Sequence, residues 1–170
     1  MGARLTTAIK IANSANAILQ RVNAFDQEDM RSKKDWDMRA HLGIDPMLLG
    51  LSMELALKAW YVFDHDTPKV LRSHNLPKLF AALKPESQDK LESTFRQSVA
   101  PHHPNIFIID YGIRSVLLQH ENAFEDWRYS YEARHLSFEK SVFIATLEMV
   151  LREFKKRYRT EKIPPIWNSE

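Results

Sequence analysis

Apolar residues recur every three or four positions along most of this chain, which is the signature of amphipathic helices. Leu5, Ile9, Ala12, Ala15, Ile18 (or Leu19) and Val22 keep that spacing and predict a first helix over 4–25. The stretch from Asp26 to Ile44 is polar and charge-rich, a long connection with a short helix expected around Trp36 to His41. Asp45-Pro46 then marks a helix start, because Asp45 can cap free N–H groups and Pro46 suits the first turn. The helix predicted over 46–64 carries two apolar stripes. One is Leu48, Leu51, Leu55, Ala59 and Val62; the other is Leu49, Met53, Ala56, Trp60 and Phe63. Two stripes imply burial on more than one side.

Further along, His74 to Leu83 reads as a short helix with Leu76, Leu79, Phe80 and Leu83 inward. Pro85-Glu86-Ser87 opens another, to about Val99, and Ala100-Pro101-His102-His103-Pro104 breaks the chain. Asn105 is expected to cap a long helix to Trp127, with Ile109, Ile113, Val116 (or Leu117), Phe124 and Trp127 on its inner face. Ser137 is expected to cap a last helix over 138–159, facing Phe138, Val142, Ala145, Met149 and Phe154 inward. Ile163-Pro164-Pro165 cannot continue it, so 161–170 reads as an extended tail. The expectation is an all-α bundle of four long helices, with short helices between the second and third, forming one domain over 1–160.

Composition narrows the chemistry. With 170 residues, 44% apolar and 27% charged, the chain suits one core. Four Gly and eight Pro are too few for a many-stranded sandwich. Without cysteine there is no disulfide, thiolate nucleophile or cysteine-ligated metal, which fits a cytoplasmic location. No segment reaches the run of about 18 apolar residues that a membrane span needs. Gly2 and Thr6 match the loose myristoylation pattern, but no second lipid signal accompanies them. A net charge of +2 means that nucleic-acid binding has to come from a local patch. Gly-rich phosphate loops and Gly-x-Ser-x-Gly elbows are absent.

Three segments, in order, resemble the HEPN family (higher eukaryotes and prokaryotes nucleotide-binding domain). They are Leu48-Leu-Gly-Leu-Ser-Met-Glu-Leu-Ala-Leu-Lys-Ala59, with Glu54 and Lys58 one turn apart; His74-Asn-Leu-Pro-Lys-Leu79; and Trp127-Arg-Tyr-Ser-Tyr-Glu132 followed by His135. The resemblance implies a helix bundle that commonly forms a homodimer. In ribonuclease members of the family, an Arg followed by four to six residues and a His makes the active site. Arg128 and His135 fit that pattern, with six residues between them, just before the last helix. The same spacing also fits Arg96 with His102 and His103, and Arg114 with His120, so place in the bundle singles out the Arg128 pair.

Those two residue types suffice for metal-independent RNA cleavage. Histidine can take the 2′-hydroxyl proton, and the planar fork of arginine can hold phosphate as charge builds. The alternative is that Arg128 pairs with Glu125, Asp126 or Glu132 and His135 is loop surface. Tyr129 and Tyr131 either stack bases or pack the helix junction. Arg134 either adds charge to the same mouth or is a solvated loop residue. His120 is either a hydrogen-bonded core residue or the lining of a binding cleft. Glu54 and Lys58 read as a partly buried pair that orients helices, and His74 as the cap or anchor of its short helix. Adjacent His102 and His103 diverge, so no metal site is expected and no cofactor is implied. Lys155, Lys156, Arg157 and Arg159 either complement the dipole of the last helix or meet RNA or an acidic partner.

Together these observations lead to an RNA-processing or RNA-binding protein of the defence or toxin kind, acting as a homodimer with Arg128 and His135 as catalytic residues. An antitoxin or nucleotidyltransferase would be its protein partner. The alternatives are a non-catalytic HEPN module for a nucleotide or protein, and a plain helical interaction protein.

Overall fold

The computed structural model describes residues 3–31, 44–128 and 137–162, with side chains over 4–25, 44–128 and 137–158. Among them there are helices and loops and no strand. The helices are α1 (Ala3–Arg31), α2 (Ile44–Asp64), α3 (Leu76–Ala81), α4 (Pro85–Ser98), α5 (Ile113–Gln119), α6 (Ala123–Arg128) and α7 (Lys140–Lys162).

Helix α2 is the axis of the fold. It packs against α1, α3, α6 and α7, while α4 and α5 close over α7. Of its two apolar stripes, Leu49, Met53, Ala56, Trp60 and Phe63 are all buried, and Ala59 and Val62 of the other stripe are buried with them. On α1, Leu5, Ala8, Ala12, Ala15, Leu19 and Val22 face inward, so Leu19 rather than Ile18 takes the core position. Trp60 meets Phe154 edge to face at 5.8 Å, and Phe63 meets the same ring at 5.9 Å, which knits α2 to α7.

Burying a helix on several sides obliges each of its polar groups to find a partner. Ser52 donates to the Ala15 carbonyl of α1 at 2.8 Å, and the Trp60 indole donates to the Val150 carbonyl of α7 at 3.2 Å. Asp64, fully buried, accepts from the Ser87 hydroxyl at 2.8 Å, the Lys84 amide at 3.0 Å and Arg157 at 2.6 Å. The Arg157 guanidinium also lies over the Trp60 and Phe63 rings. Of the basic residues at the end of the last helix, Arg157 is therefore tied to Asp64, and Lys156 bonds Glu153 at 2.7 Å. Asp45 is buried in the first turn of α2 and takes a 2.6 Å contact from Lys140 of α7.

Three expectations about the elements need correction. The long helix over 105–127 is not one helix. Residues 101–112 form turns, with Ile106, Phe107 and Ile109 exposed, and Asn105 accepts from the Phe107 amide instead of capping a helix. The chain breaks again at His120–Asn122, between α5 and α6. Of the expected inner face, Ile113, Val116 and Leu117 are buried, whereas Phe124 and Trp127 are only partly covered. Second, α1 continues to Arg31, through residues read as connection, and α7 runs from Lys140 to Lys162, past the expected domain edge. Third, Asn75 and not His74 caps α3, its side chain accepting from the Lys78 amide at 3.0 Å. The short helix expected near Trp36 and the tail beyond Lys162 lie outside the described residues. No described helix is long and apolar enough to cross a membrane.

Helix α6 can lie close to α2 because Gly50 faces it. A Cβ at that position would stand 2.7 Å from the Phe124 amide nitrogen and 3.0 Å from the Ala123 Cβ. The nearest obstacle is backbone, so α6 would have to move. Gly50→Ala is expected to cost about 1–3 kcal/mol, an overpacking penalty. Urea denaturation checks this; unchanged stability would mean that α6 does not lie where it is described.

Candidate functional site

The first two segments of the HEPN resemblance meet at Glu54. Its carboxylate is buried, and each oxygen has its own partner. Oε1 receives Lys58 Nζ at 2.5 Å, one turn along α2, and Oε2 receives His74 Nδ1 at 2.9 Å. The geometry follows from local structure. Glu54 and Lys58 are i,i+4 on a helix and face the same side. His74 is held beside them because the chain that follows is pinned: Asn75 caps α3, Asn75 Nδ2 contacts Glu121 Oε2 and Asn122 Oδ1, and the Leu76 amide donates to the Glu121 carbonyl.

A carboxylate only accepts hydrogen bonds, so the His74 imidazole donates from Nδ1, which fixes the tautomer of its neutral form with the lone pair on Nε2. The His74 side chain is half exposed, whereas that of Lys58 is nearly buried. Glu54 thus orients one imidazole toward solvent and neutralises one ammonium beneath it.

The third segment joins through an aromatic ring. The His74 ring lies 5.5 Å from that of Phe124, and the Arg128 guanidinium sits 5.8 Å from the centre of the same ring. An imidazole and a guanidinium therefore share the Phe124 ring as a platform. Negative charge is also close in the chain. Glu121, Glu125 and Asp126 share that segment, and the Asp126 carboxyl is held above its usual range by burial and then by Glu125 and Glu121.

Beside His74 opens a groove of about 850 Å³ lined by Lys58, Lys69, Arg72 and Ser73, with Val70 and Leu71. Among the described residues no group of three or more His, Asp or Glu side chains could hold a metal ion.

The expected site residues are distributed unevenly. Arg128 is exposed at the end of α6, in the place just given. His135, Tyr129, Tyr131 and Arg134 lie outside the described residues. His120 needs correction as a lining residue: it is 4% exposed and closed off by the rings of Phe138 at 4.6 Å and Phe143 at 5.1 Å. It is the core residue of the other reading, but its buried Nε2 has no hydrogen-bond partner among the described residues. Sequence reasoning had Glu54, Lys58 and His74 in hand but assigned them to helix orientation and anchoring. The missing signal was that Asn75, a stronger cap, releases His74 for Glu54.

Comparison with known proteins adds nothing to this geometry: no family model matches the chain, and no curated protein or solved structure matches it significantly.

Two predictions follow the burial. Removing Glu54 strands Lys58 in a nearly dry site, so Glu54→Ala is expected to cost about 3–5 kcal/mol. Glu54→Gln, which can still accept a bond, should cost less, and chemical denaturation of both variants orders them. Burial lowers the His120 pKa to about 4, with Glu139 opposing the shift. As pH falls from about 6.5 to about 4, the unfolded chain takes up a proton there that the folded chain refuses. Stability present above pH 6.5 is then lost, by up to about 3 kcal/mol. His120→Leu should remove that part of the slope; an unaltered slope would place the acid sensitivity elsewhere.

Proposed function

We propose that this chain is a HEPN-like RNA-processing protein that works without a metal ion, as a homodimer of the defence or toxin kind. The observation that carries the reading is the convergence of the three resembling segments. Glu54 and Lys58 from the first, His74 from the second and Arg128 from the third are linked through one carboxylate and one ring.

The chemistry suits cleavage by the neighbouring 2′-hydroxyl. His74 Nε2 takes the proton of that hydroxyl, whose oxygen then attacks phosphorus. Arg128 meets the charge that builds on the phosphoryl oxygens, and the P–O5′ bond breaks to leave a 2′,3′-cyclic phosphate. The leaving 5′-oxygen takes a proton from an acid, the role given to His135 in this reading. Glu54 fixes the tautomer of His74 and stabilises the imidazolium that forms, as a carboxylate behind a histidine does. Tyr129 and Tyr131, one and three residues after Arg128, would stack the flanking bases, with Arg134 adding positive charge.

The test is a mixed RNA pool incubated with purified protein in EDTA. Wild type is expected to release fragments ending in 2′,3′-cyclic phosphate. His74→Ala, His135→Ala and Arg128→Ala, each still folded, should lower the rate by about 100- to 10,000-fold. Binding without cleavage by wild type would replace this reading with a non-catalytic HEPN module. Neither binding nor cleavage would overturn the RNA reading and turn attention to a protein partner.

A further inference from the structure

Charge is out of balance in the groove beside His74. Three cations, Lys58, Lys69 and Arg72, line one cavity together with His74. The carboxylate within reach is Glu54, and both of its oxygens are already occupied, by Lys58 and His74. Asp66, three residues before Lys69, is engaged by Arg4 at 3.2 Å. Lys69 and Arg72 are exposed and make no ion pair with any described residue.

The segment that carries them is not a loose loop. It leaves α2 through the Thr67 amide bonded to the Val62 carbonyl, and the Lys69 amide donates to the Thr67 hydroxyl. Leu71 packs against the core, the Asn75 amide donates to the Ser73 hydroxyl, and His74 is tied to Glu54. Between these ties, the Val70, Leu71 and Arg72 amides take no partner among the described residues. Like charges pinned around a cavity repel one another, and amide donors left open add to the same field. An anion that fills the groove relieves both.

We infer that the 69–74 groove is a phosphate-binding subsite, in which Lys69 and Arg72 close on a phosphate group above Lys58. The RNA reading supplies the source of that phosphate: a nucleotide of the strand next to the one held at His74 and Arg128. The carboxylates of the 121–126 segment oppose a polyanion on their own side, so the strand enters from the groove. A planar guanidinium fork and open amides suit the oxygens of a phosphate, and the volume accommodates a nucleotide-sized group.

The experiment uses the full chain, with two probes. Inorganic pyrophosphate is titrated into ¹⁵N-labelled protein while the amides of residues 69–74 are followed by NMR. A fluorescein-labelled single-stranded RNA 12-mer is titrated at several salt concentrations. Saturable shifts confined to residues 69–74, lost in the Lys69→Glu/Arg72→Glu variant, are expected. The same variant should weaken RNA binding more than tenfold and flatten its salt dependence by about 1.4 in log–log slope, the mark of two lost phosphate contacts on a single strand. Thermal denaturation of the variant should match wild type, because both side chains are exposed. Pyrophosphate that causes no saturable shift at 69–74, or RNA binding that is unchanged in the variant, overturns the inference while leaving the RNA reading in place. Pyrophosphate bound at 69–74 with no RNA binding by wild type supports the subsite and overturns the RNA reading instead.

Discussion

A polar group left unanswered on a helix buried on several sides is costly, and this fold is arranged around how α2 meets that demand, with Asp45 Oδ1 the one α2 side-chain atom left buried without a partner among the described residues. Each of its polar side chains reaches a different neighbour. Asp45 holds Lys140 at the start of α7, Ser52 holds the Ala15 carbonyl of α1, and Trp60 holds the Val150 carbonyl of α7. Asp64 gathers Ser87, the Lys84 amide and Arg157. Apolar burial supplies most of the driving force, but it is not directional. The hydrogen bonds fix which helix lies against which face and at what height.

Glu54 obeys the same rule with a different result. The partners of Asp45, Ser52, Trp60 and Asp64 are carbonyls, a hydroxyl and cations of packed helices, with the Lys84 backbone amide just ahead of α4. Glu54 is answered partly by His74, which is half exposed and sits on a segment without regular structure. A buried ion pair contributes little net stability, because desolvation offsets much of its attraction. Apolar side chains at positions 54 and 58 together would serve the core at least as well. A carboxylate there makes physical sense if its task is to hold an imidazole and an ammonium at the mouth of a cationic groove. The structural need of α2 and the chemistry of the site thus fall on one residue.

Much of the bundle was legible in the sequence, because periodicity and helix-start signals act locally. The double stripe of α2 foretold its central position, and Pro85-Glu86-Ser87 placed the start of α4. The failures were also local in origin. Ile106 to Ile109 continue an apolar pattern into Ile113, so the rhythm read as one helix, yet Ile109 points wholly into solvent. The true starts are marked by Gly112, extended just ahead of Ile113, and by Glu125 and Asp126 in the first turn of α6. The site was harder to read. Glu54 and Lys58 stood out as an i,i+4 pair and His74 apart from them, but the contact between Glu54 and His74, twenty residues apart, depends on how a loop is pinned, and no spacing rule encodes that.

The central claim is that Glu54 and Lys58 are kept for the site and not for stability. A double-mutant cycle with Glu54→Leu and Lys58→Met, read by urea denaturation and by RNA-binding anisotropy, tests it most directly. The account predicts that each single variant is clearly destabilised, because it strands the other charge, and that the double variant recovers most of the loss yet binds RNA far more weakly than wild type. A double variant whose losses simply add, or one that is stable and binds RNA as wild type does, would contradict it.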